Sequence, residues 1–136
     1  MVPFKTKSGK LHGTNFKEVN KHAHLVYKVI RKSTKRKPYI RSAYFNKQKV
    51  FFDYFWIHLQ QKHEPERFRR LKYFEAGIEL IKNSRNHPES MQNPSKKSEM
   101  LHRFIGITRD KEIFYVQIKD QKKSNKKELM SIFPKK

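Results

Sequence analysis

The chain has 136 residues, enough for one domain, and carries 33 Lys and Arg against 12 Asp and Glu, a formal net charge of +21. So large an excess of positive charge favours nucleic acid as the binding partner, ahead of an anionic membrane. The alternative is that the charge only keeps the protein soluble. Eleven Phe, six Tyr and one Trp supply a core, and the lack of cysteine excludes disulfides and a cysteine nucleophile. We expect a cytoplasmic protein without a membrane partner, because no apolar stretch approaches the roughly 20 residues of a membrane span.

The first 50 residues hold 14 basic side chains and one acidic one. Residues 1–13 contain a proline and two glycines among lysines, and we interpret them as a flexible basic arm. Thr14 or Asn15 can cap the helix that follows, in which apolar residues recur at helical spacing from Phe16 to Ile30. Residues 28–37 are polar and basic and predict a loop. We therefore expect a basic arm and helix over residues 1–38 and an α+β unit over residues 39–136. Together they form one compact domain.

The middle of the chain predicts a strand and two helices. Residues 39–45 alternate enough to form the strand, and residues 46–49 form a turn. An aromatic block then predicts a short helix over residues 54–62, with Asp53 as its N-cap. Pro65 is suited to the first turn of the next helix. An apolar stripe predicts that this helix continues to about Asn83. Residues 86–97 hold two prolines and two asparagines and predict a loop.

In the last third of the chain, the spacing of apolar residues changes from that of helices to that of β-strands. Three apolar runs, at residues 101–108, 112–120 and 128–133, predict an antiparallel meander. The predicted fold is therefore α+β, with N-terminal helices followed by a small antiparallel β-sheet. Alternation predicts an apolar face and an open face for this sheet. On the apolar face we expect Phe104, Phe114, Val116, Ile118, Met130 and Ile132. On the open face we expect Arg103, Tyr115, Gln117, Lys119, Ser131 and Phe133.

The sequence contains no convincing metal or cofactor motif. Its tidiest acidic pair, Glu75 and Glu79, is typical of a solvated helix surface, and His22 and His24 lie two apart and face different ways. We therefore expect neither metal nor cofactor. Histidine, lysine and arginine are the equipment of a metal-independent RNase, which needs a proton acceptor for the 2′-hydroxyl and cations for the phosphate. A non-catalytic RNA binder would carry the same residue types.

One helix sharpens the nuclease hypothesis. His58 and Lys62 lie four residues apart, on one helix face. The aromatic block around His58 would shield the imidazole and make its pKa tunable. The alternative is a histidine at the edge of the core that hydrogen-bonds a backbone carbonyl. Arg70 follows on the next helix, where a solvated arginine is the alternative.

The stretches FFDYFWIHLQQKHEPERFRRLKYFEAGIELIKNS, HRFIGIT, FYVQIKD and LMSIFPKK resemble the phage-associated barnase–EndoU–colicin–RelE-like nucleases over roughly residues 39–136. The resemblance implies helices before an antiparallel sheet, metal-independent cleavage of RNA and a toxin-type role. It also allows an acidic antitoxin or inhibitor protein as a partner. The catalytic candidates are His58, Lys62, Arg70, Arg103 and Ser131, and the substrate-binding candidates are Tyr115, Gln117, Lys119 and Phe133. We expect Lys62, Arg103, Gln117, Lys119 and Ser131 to converge on one cleft with His58 at its edge.

Two other functions fit the same sequence. A ribosomal-type or other non-catalytic RNA-binding protein explains the charge, the aromatic residues and the lysine-rich ends without any active site. A DNA-binding or phage-packaging accessory protein is the third reading.

Overall fold

The computed structural model describes residues 2–135, which form four helices and seven strands. The helices are α1 (Phe16–Lys32), α2 (Asp53–Gln60), α3 (Glu64–Leu71) and α4 (Phe74–Asn83). The strands are β1 (Phe4–Lys5), β2 (Tyr39–Ser42), β3 (Gln48–Phe51), β4 (Glu89–Gln92), β5 (Glu99–Ile107), β6 (Ile113–Gln121) and β7 (Lys126–Pro134). They join in one strongly curled, half-barrel sheet in the order β1-β5-β6-β7-β3-β2, and β4 also pairs with β5.

The predicted small antiparallel sheet after N-terminal helices is wrong, because the sheet is larger and mixed. The antiparallel meander of β5, β6 and β7 is present, but it forms only the middle of the sheet. Strand β1 pairs in parallel with β5, and β3 pairs in parallel with β7. The first of these pairings joins Phe4 to Gly106. Parallel partners so far apart in the chain leave no turn signal between them, so the sequence pattern does not reveal them.

The N-terminal segment contributes to the fold instead of forming the free arm that the sequence predicted. Besides the β1 pairing, the backbone N–H groups of Lys7 and Ser8 donate to the Glu79 carboxylate on α4, at 2.7 and 3.0 Å. The Leu11 N–H donates to the Lys72 carbonyl at 2.8 Å. Residues 4–11 are thereby joined both to the sheet and to the helices.

Helix α1 begins as predicted and ends later than predicted. The Asn15 side chain accepts a hydrogen bond from the backbone N–H of Glu18, which makes Asn15 the N-cap. The helix then runs to Lys32 and so includes the first half of the loop predicted at residues 28–37, whereas residues 33–37 lie outside any helix or strand. Basic residues fill its exposed face there, while Tyr27 and Ile30 continue the buried stripe. A charged surface on an amphipathic helix was mistaken for a loop.

The single helix predicted from Pro65 to Asn83 is two helices. Pro65 lies in the first turn of α3, as expected. The break falls at Lys72 and Tyr73, where the Tyr73 N–H bonds the Arg70 carbonyl at 3.1 Å, a tighter turn than that of an α-helix. The Lys72 carbonyl meanwhile accepts the N–H of Leu11, a residue 61 positions earlier. The break between the two helices thus coincides with a hydrogen bond from a distant part of the chain.

Three smaller predictions also change. Asp53 is the first residue of α2, not its cap, since the N-cap position is Phe52 and has no side-chain hydrogen bond. The predicted loop at residues 86–97 contains the edge strand β4. The predicted turn at residues 46–49 is shorter, because β3 already begins at Gln48. The two residues before it, Asn46 and Lys47, take positive φ angles of 54° and 65°.

The core lies between the sheet and helices α1, α2 and α4. Two glycines allow α4 to approach the sheet closely. A Cβ at Gly77 on α4 would meet the Ile132 side chain at 2.5 Å, and a Cβ at Gly106 on β5 would meet the Phe114 ring at 2.5 Å. Neither position has room for a methyl group, so both glycines fix the helix-to-sheet distance. No helix among the described residues is long and apolar enough to cross a membrane.

The two faces of the meander follow the predicted alternation, with one shift. Phe104, Phe114, Val116, Ile118 and Ile132 are buried on the core face, and Arg103 is exposed on the open face. A β-bulge opposite Gln117 and Ile118 changes the alternation in β7. Leu129, not Met130, consequently takes the buried position, so the prediction for Met130 is wrong. Ser131 still pairs with Gln117, which places both on the same side of the sheet.

Candidate functional site

A cleft of about 620 Å³ lies between α3 and the open face of β6 and β7. We call it the α3 cleft. Its lining is rich in cations and aromatic rings and comprises Lys62, His63, Glu66, Arg69, Arg70, Tyr115, Phe133, Pro134 and Lys135. Four of the predicted site residues therefore share one cleft: Lys62, Arg70, Tyr115 and Phe133.

The floor of the α3 cleft is an aromatic pair. Tyr115 on β6 and Phe133 on β7 are cross-strand partners, and their ring centroids lie 5.5 Å apart. The Arg103 guanidinium lies over both rings, at 5.7 Å from Tyr115 and 5.5 Å from Phe133. The Arg70 guanidinium lies 5.3 Å from the Phe133 ring. Two arginines thus meet one aromatic platform from α3 and from β5.

One carboxylate orders the arginines of this cleft. Glu66 accepts hydrogen bonds from Arg69 Nη2 and from Arg70 Nε, both at 2.8 Å. The hydrogen bonds from Arg69 and Arg70 lower the Glu66 pKa to about 2. Among residues 2–135, no carboxylate lies within 4.0 Å of the cationic groups of Lys62 or Arg103. The cleft therefore keeps a positive surface after its internal ion pairs are formed.

His58 lies beside the cleft, behind Arg70. Its ring stacks on Tyr54 with centroids 5.7 Å apart. Burial lowers its pKa, and the nearby Lys62 and Arg70 lower it further, while a hydrogen bond to the Met130 backbone opposes the shift. The imidazole is therefore neutral at pH 7 and chemically able to accept a proton. The space between His58, Arg70 and Met130 has no room for water, although His58 as a whole is partly exposed.

The remaining predicted residues lie on the same face but outside the cleft. Ser131 is only 6% exposed and adjoins His58. Gln117 accepts a hydrogen bond from Arg103 at 3.4 Å. Lys119 lies farther along the sheet, with its Nζ 3.8 Å from the Tyr54 ring centroid and 3.7 Å from Glu99 Oε2. Of the five residues expected to converge on one cleft, only Lys62 lines the α3 cleft. Arg103 lies beside it, over the aromatic pair, and Gln117, Lys119 and Ser131 do not line it.

The sequence analysis missed five residues that line the cleft: His63, Glu66, Arg69, Pro134 and Lys135. The spacing of Glu66 and Arg69, an i,i+3 pair on a helix, carries a signal for these two. No pattern in the sequence places Lys135 opposite α3, because that contact depends on the register of β7.

Sequence reasoning also missed a second polar cluster, on the core face at the other end of the strands. Its members are Ser90, His102, Asp120 and Lys127, and we call it the core-face cluster. The Ser90 hydroxyl lies 2.7 Å from His102 Nδ1, and His102 Nε2 lies 3.3 Å from Asp120 Oδ2. Lys127 Nζ lies 3.2 Å from Asp120 Oδ1.

Neither site presents an evident metal centre. Within the part of the chain that the structure describes, no three His, Asp or Glu side chains are grouped closely enough to hold a metal ion. The α3 cleft instead offers guanidinium and ammonium groups, an aromatic platform and a nearby imidazole. Those groups can bind phosphate, stack on a base and transfer a proton.

Comparison with protein-family models, with curated proteins and with solved structures finds no match to this chain. The resemblance to the barnase–EndoU–colicin–RelE-like nucleases consequently stays a prediction from the sequence.

Proposed function

We propose that this chain is an RNA-binding protein of the cytoplasm that cleaves RNA without a metal ion, with the α3 cleft as its site. The observation that supports this function is the Tyr115–Phe133 pair flanked by Arg70 and Arg103 on an open sheet face. An exposed ring offers a base its π-face, and arginine offers the phosphate two donors at once. The excess charge of +21 adds attraction for any polyanion.

The cleavage step uses the chemistry of the RNA itself. Neutral His58 takes the proton of the 2′-hydroxyl, whose oxygen attacks the adjacent phosphorus, and the bond to the 5′-oxygen breaks. The leaving oxygen receives a proton from the imidazolium or from solvent, and the products carry a 2′,3′-cyclic phosphate and a 5′-hydroxyl. Lys62 and Arg70 stabilise the negative charge that develops on the phosphate.

A specific observation favours a second candidate, the non-catalytic RNA binder. His58 lies against Met130 of β7, and the space that it shares with Met130 and Arg70 has no room for water. Such a position is typical of a histidine that packs at the edge of the core and has no catalytic role. On this reading the α3 cleft binds RNA, and His58 only supports its wall.

A toxin-type role belongs to the same proposal. An acidic antitoxin or inhibitor protein would cover the cationic cleft, because such a partner neutralises Lys62 and Arg103 as RNA does. The sequence resemblance alone supports this partner.

One experiment separates the cleaving protein from the mere binder. End-labelled RNA is incubated with the purified protein in EDTA, and the products are resolved on a gel with their ends identified. Cleavage that persists in EDTA and leaves 2′,3′-cyclic phosphates supports the nuclease. Intact RNA that is nevertheless bound supports the binder. Products with 5′-phosphate ends, or activity that requires magnesium, would contradict the proposed mechanism.

A further inference from the structure

A second group of cations and aromatic rings lies on the outer strands of the sheet. We call it the distal platform, and it consists of Tyr39, Arg41, Lys49, Phe51 and Lys126. The Tyr39 and Phe51 rings meet edge to face, with centroids 5.9 Å apart. Lys49 Nζ lies 4.7 Å and the Arg41 guanidinium 5.5 Å from the Tyr39 ring, and Lys126 Nζ lies 5.4 Å from the Phe51 ring.

Strand register places this platform on the same face of the sheet as the α3 cleft. Val50 pairs with Lys127, and both are buried on the core face. Their neighbours Phe51 and Lys126 therefore point to the open face. Tyr39 pairs with Phe51 across β2 and β3, so it shares that face. Arg41 and Lys49 pair with each other two residues farther along and join them.

The two sites lie at opposite ends of β7. Lys126 and Phe133 are seven residues apart, which corresponds to about 23 Å along a strand. Between them, Tyr54 and Lys119 form another aromatic and cation contact, at 3.8 Å. The open face therefore carries aromatic rings with adjacent cations at both ends and at one point between. Repeated pairs of this kind are how non-specific single-strand binders follow a nucleic-acid chain.

Two carboxylates on this face, Glu99 and Glu128, have partners within the protein. Glu99 lies within ion-pair distance of Lys96 and Lys119, and Glu128 accepts a hydrogen bond from Gln121 at 3.2 Å. Over residues 2–135, no carboxylate lies within 4.0 Å of the cationic groups of the distal platform. The distal platform is therefore available to an anionic ligand from outside.

We propose that the distal platform is a second contact point for the single-stranded RNA that occupies the α3 cleft. This inference rests on the proposed function, because it extends the same strand from the α3 cleft along β7. A duplex is a poorer fit, since its bases are stacked inside and cannot reach the Tyr39 and Phe51 rings. The ligand is a single strand long enough to span about 23 Å.

The test compares a short and a long oligonucleotide. Fluorescence anisotropy measures the affinity of the full chain for single-stranded RNAs of about 4 and about 16 nucleotides, the range that single-strand binding modules cover. The platform variant is Arg41→Ala with Lys49→Ala, both exposed on the surface. Its matched control is Lys17→Ala with Lys21→Ala, which removes two exposed charges from α1 instead.

We expect the platform variant to bind the long RNA at least tenfold more weakly than the control does, and to bind the short RNA as the control does. The slope of log K against log salt should fall by about 1.4 for the long RNA, since each phosphate contact to a single strand contributes about 0.7. Equal losses for both lengths, or equal losses in platform variant and control, would overturn the inference.

Two further outcomes distinguish this inference from the proposed function. Short RNA that binds the wild-type protein, with long RNA binding no tighter, rejects the distal platform and leaves the α3 cleft intact. Wild-type protein that binds neither length rejects the proposed function itself. Stronger binding to anionic lipid vesicles than to the long RNA would assign the platform to a membrane surface and overturn the inference.

Discussion

The α3 cleft and the core-face cluster occupy opposite faces of the same strands. They differ in whether their cations have counter-ions within the protein. In the core-face cluster, Lys127 is 3% exposed and forms an ion pair with Asp120, which also meets His102. By contrast, Lys62 in the α3 cleft and Arg103 beside it have no carboxylate within ion-pair distance among the described residues. One group of charges is satisfied by the fold, and the other is left facing water.

This difference shows which cluster needs an external ligand. A buried lysine without a counter-ion is costly, so the core-face cluster is explained by folding alone. Lys62 in the α3 cleft and Arg103 beside it have no such counter-ion, and the neighbouring cations repel them. An external polyanion relieves that repulsion. A hydroxyl–imidazole–carboxylate arrangement such as Ser90–His102–Asp120 is therefore weaker evidence for function than cations without a counter-ion, such as Lys62 and Arg103.

The largest expected effect is on cleavage. His58→Ala should lower the cleavage rate constant by about two to four orders of magnitude, the usual contribution of a proton-transferring side chain. RNA affinity should stay near that of the wild type. Single-turnover kinetics with anisotropy binding measure both. The control is His87→Ala, which replaces an exposed imidazole outside the α3 cleft.

The pH dependence sharpens the same test. Because burial and the neighbouring cations hold the His58 pKa below its ordinary 6.5, the acidic fall in kcat/KM should lie below pH 6.5. The imidazole is the proton acceptor only while it is neutral, so activity is lost as pH falls. A His58→Ala protein that cleaves at the wild-type rate would return this histidine to a purely structural role.

The core-face cluster should respond in stability and not in RNA binding. Asp120→Asn leaves the buried Lys127 without its anion and should lower the free energy of unfolding by about 3 kcal/mol, the lower end for breaking a buried ion pair. The lower end applies because the Asp120 side chain is 19% exposed. Urea denaturation measures the loss, with the exposed Glu75→Gln as control. If Asp120→Asn folds but binds RNA more weakly than the wild type, the core face also takes part in binding, and the distinction between a structural face and a binding face is wrong.

Arg103, which lies over the aromatic floor of the α3 cleft, should respond in the opposite way. Arg103→Ala should weaken RNA binding about tenfold, which corresponds to about 1.4 kcal/mol, with little change in stability. Arg85→Ala removes an equally exposed guanidinium from another part of the surface and is the matched control. Anisotropy titrations at one fixed salt concentration measure both. An equal loss of RNA affinity in the two variants would show that Arg103 acts only through the net charge of the protein.

The smallest expected effect concerns Glu66. Its pKa of about 2, below the usual 4.5, means that its ion pairs stabilise the fold above pH 4.5 and are lost as pH falls toward 2. Glu66→Gln should therefore be less stable than the wild type at pH 7, with the two converging toward pH 2. Thermal melting across this range measures the difference. Parallel curves at all pH values would show that Glu66 does not hold Arg69 and Arg70 through its charge.

The sequence predicted the local features that a few adjacent residues determine. Asn15 caps α1, Pro65 lies in the first turn of α3, and Phe114, Val116 and Ile118 share a buried face, as expected. These features depend on side-chain chemistry and spacing within one element. Period-two alternation likewise placed Gln117 and Ser131 on one side of the sheet, even though β7 carries a bulge between them and the turn.

The features that failed depend on distant parts of the chain. Strand β1 exists because Phe4 pairs with Gly106, and the break between α3 and α4 accompanies the bond from Leu11 to Lys72. The bulge that exchanges Met130 for Leu129 belongs to the pairing of two strands, not to either strand alone. The same limit applies to the site, because Lys119 bonds Glu99 and lies on Tyr54 instead of lining the α3 cleft.

The most direct test of the central claim is to locate bound RNA on one face of the sheet. Single-stranded RNA is cross-linked to the protein by ultraviolet light, and the modified residues are identified by mass spectrometry. The account predicts adducts at Tyr115 and Phe133, on the floor of the α3 cleft. Adducts at Phe45, which contacts His102 in the core-face cluster, with none at Tyr115 or Phe133, would contradict it.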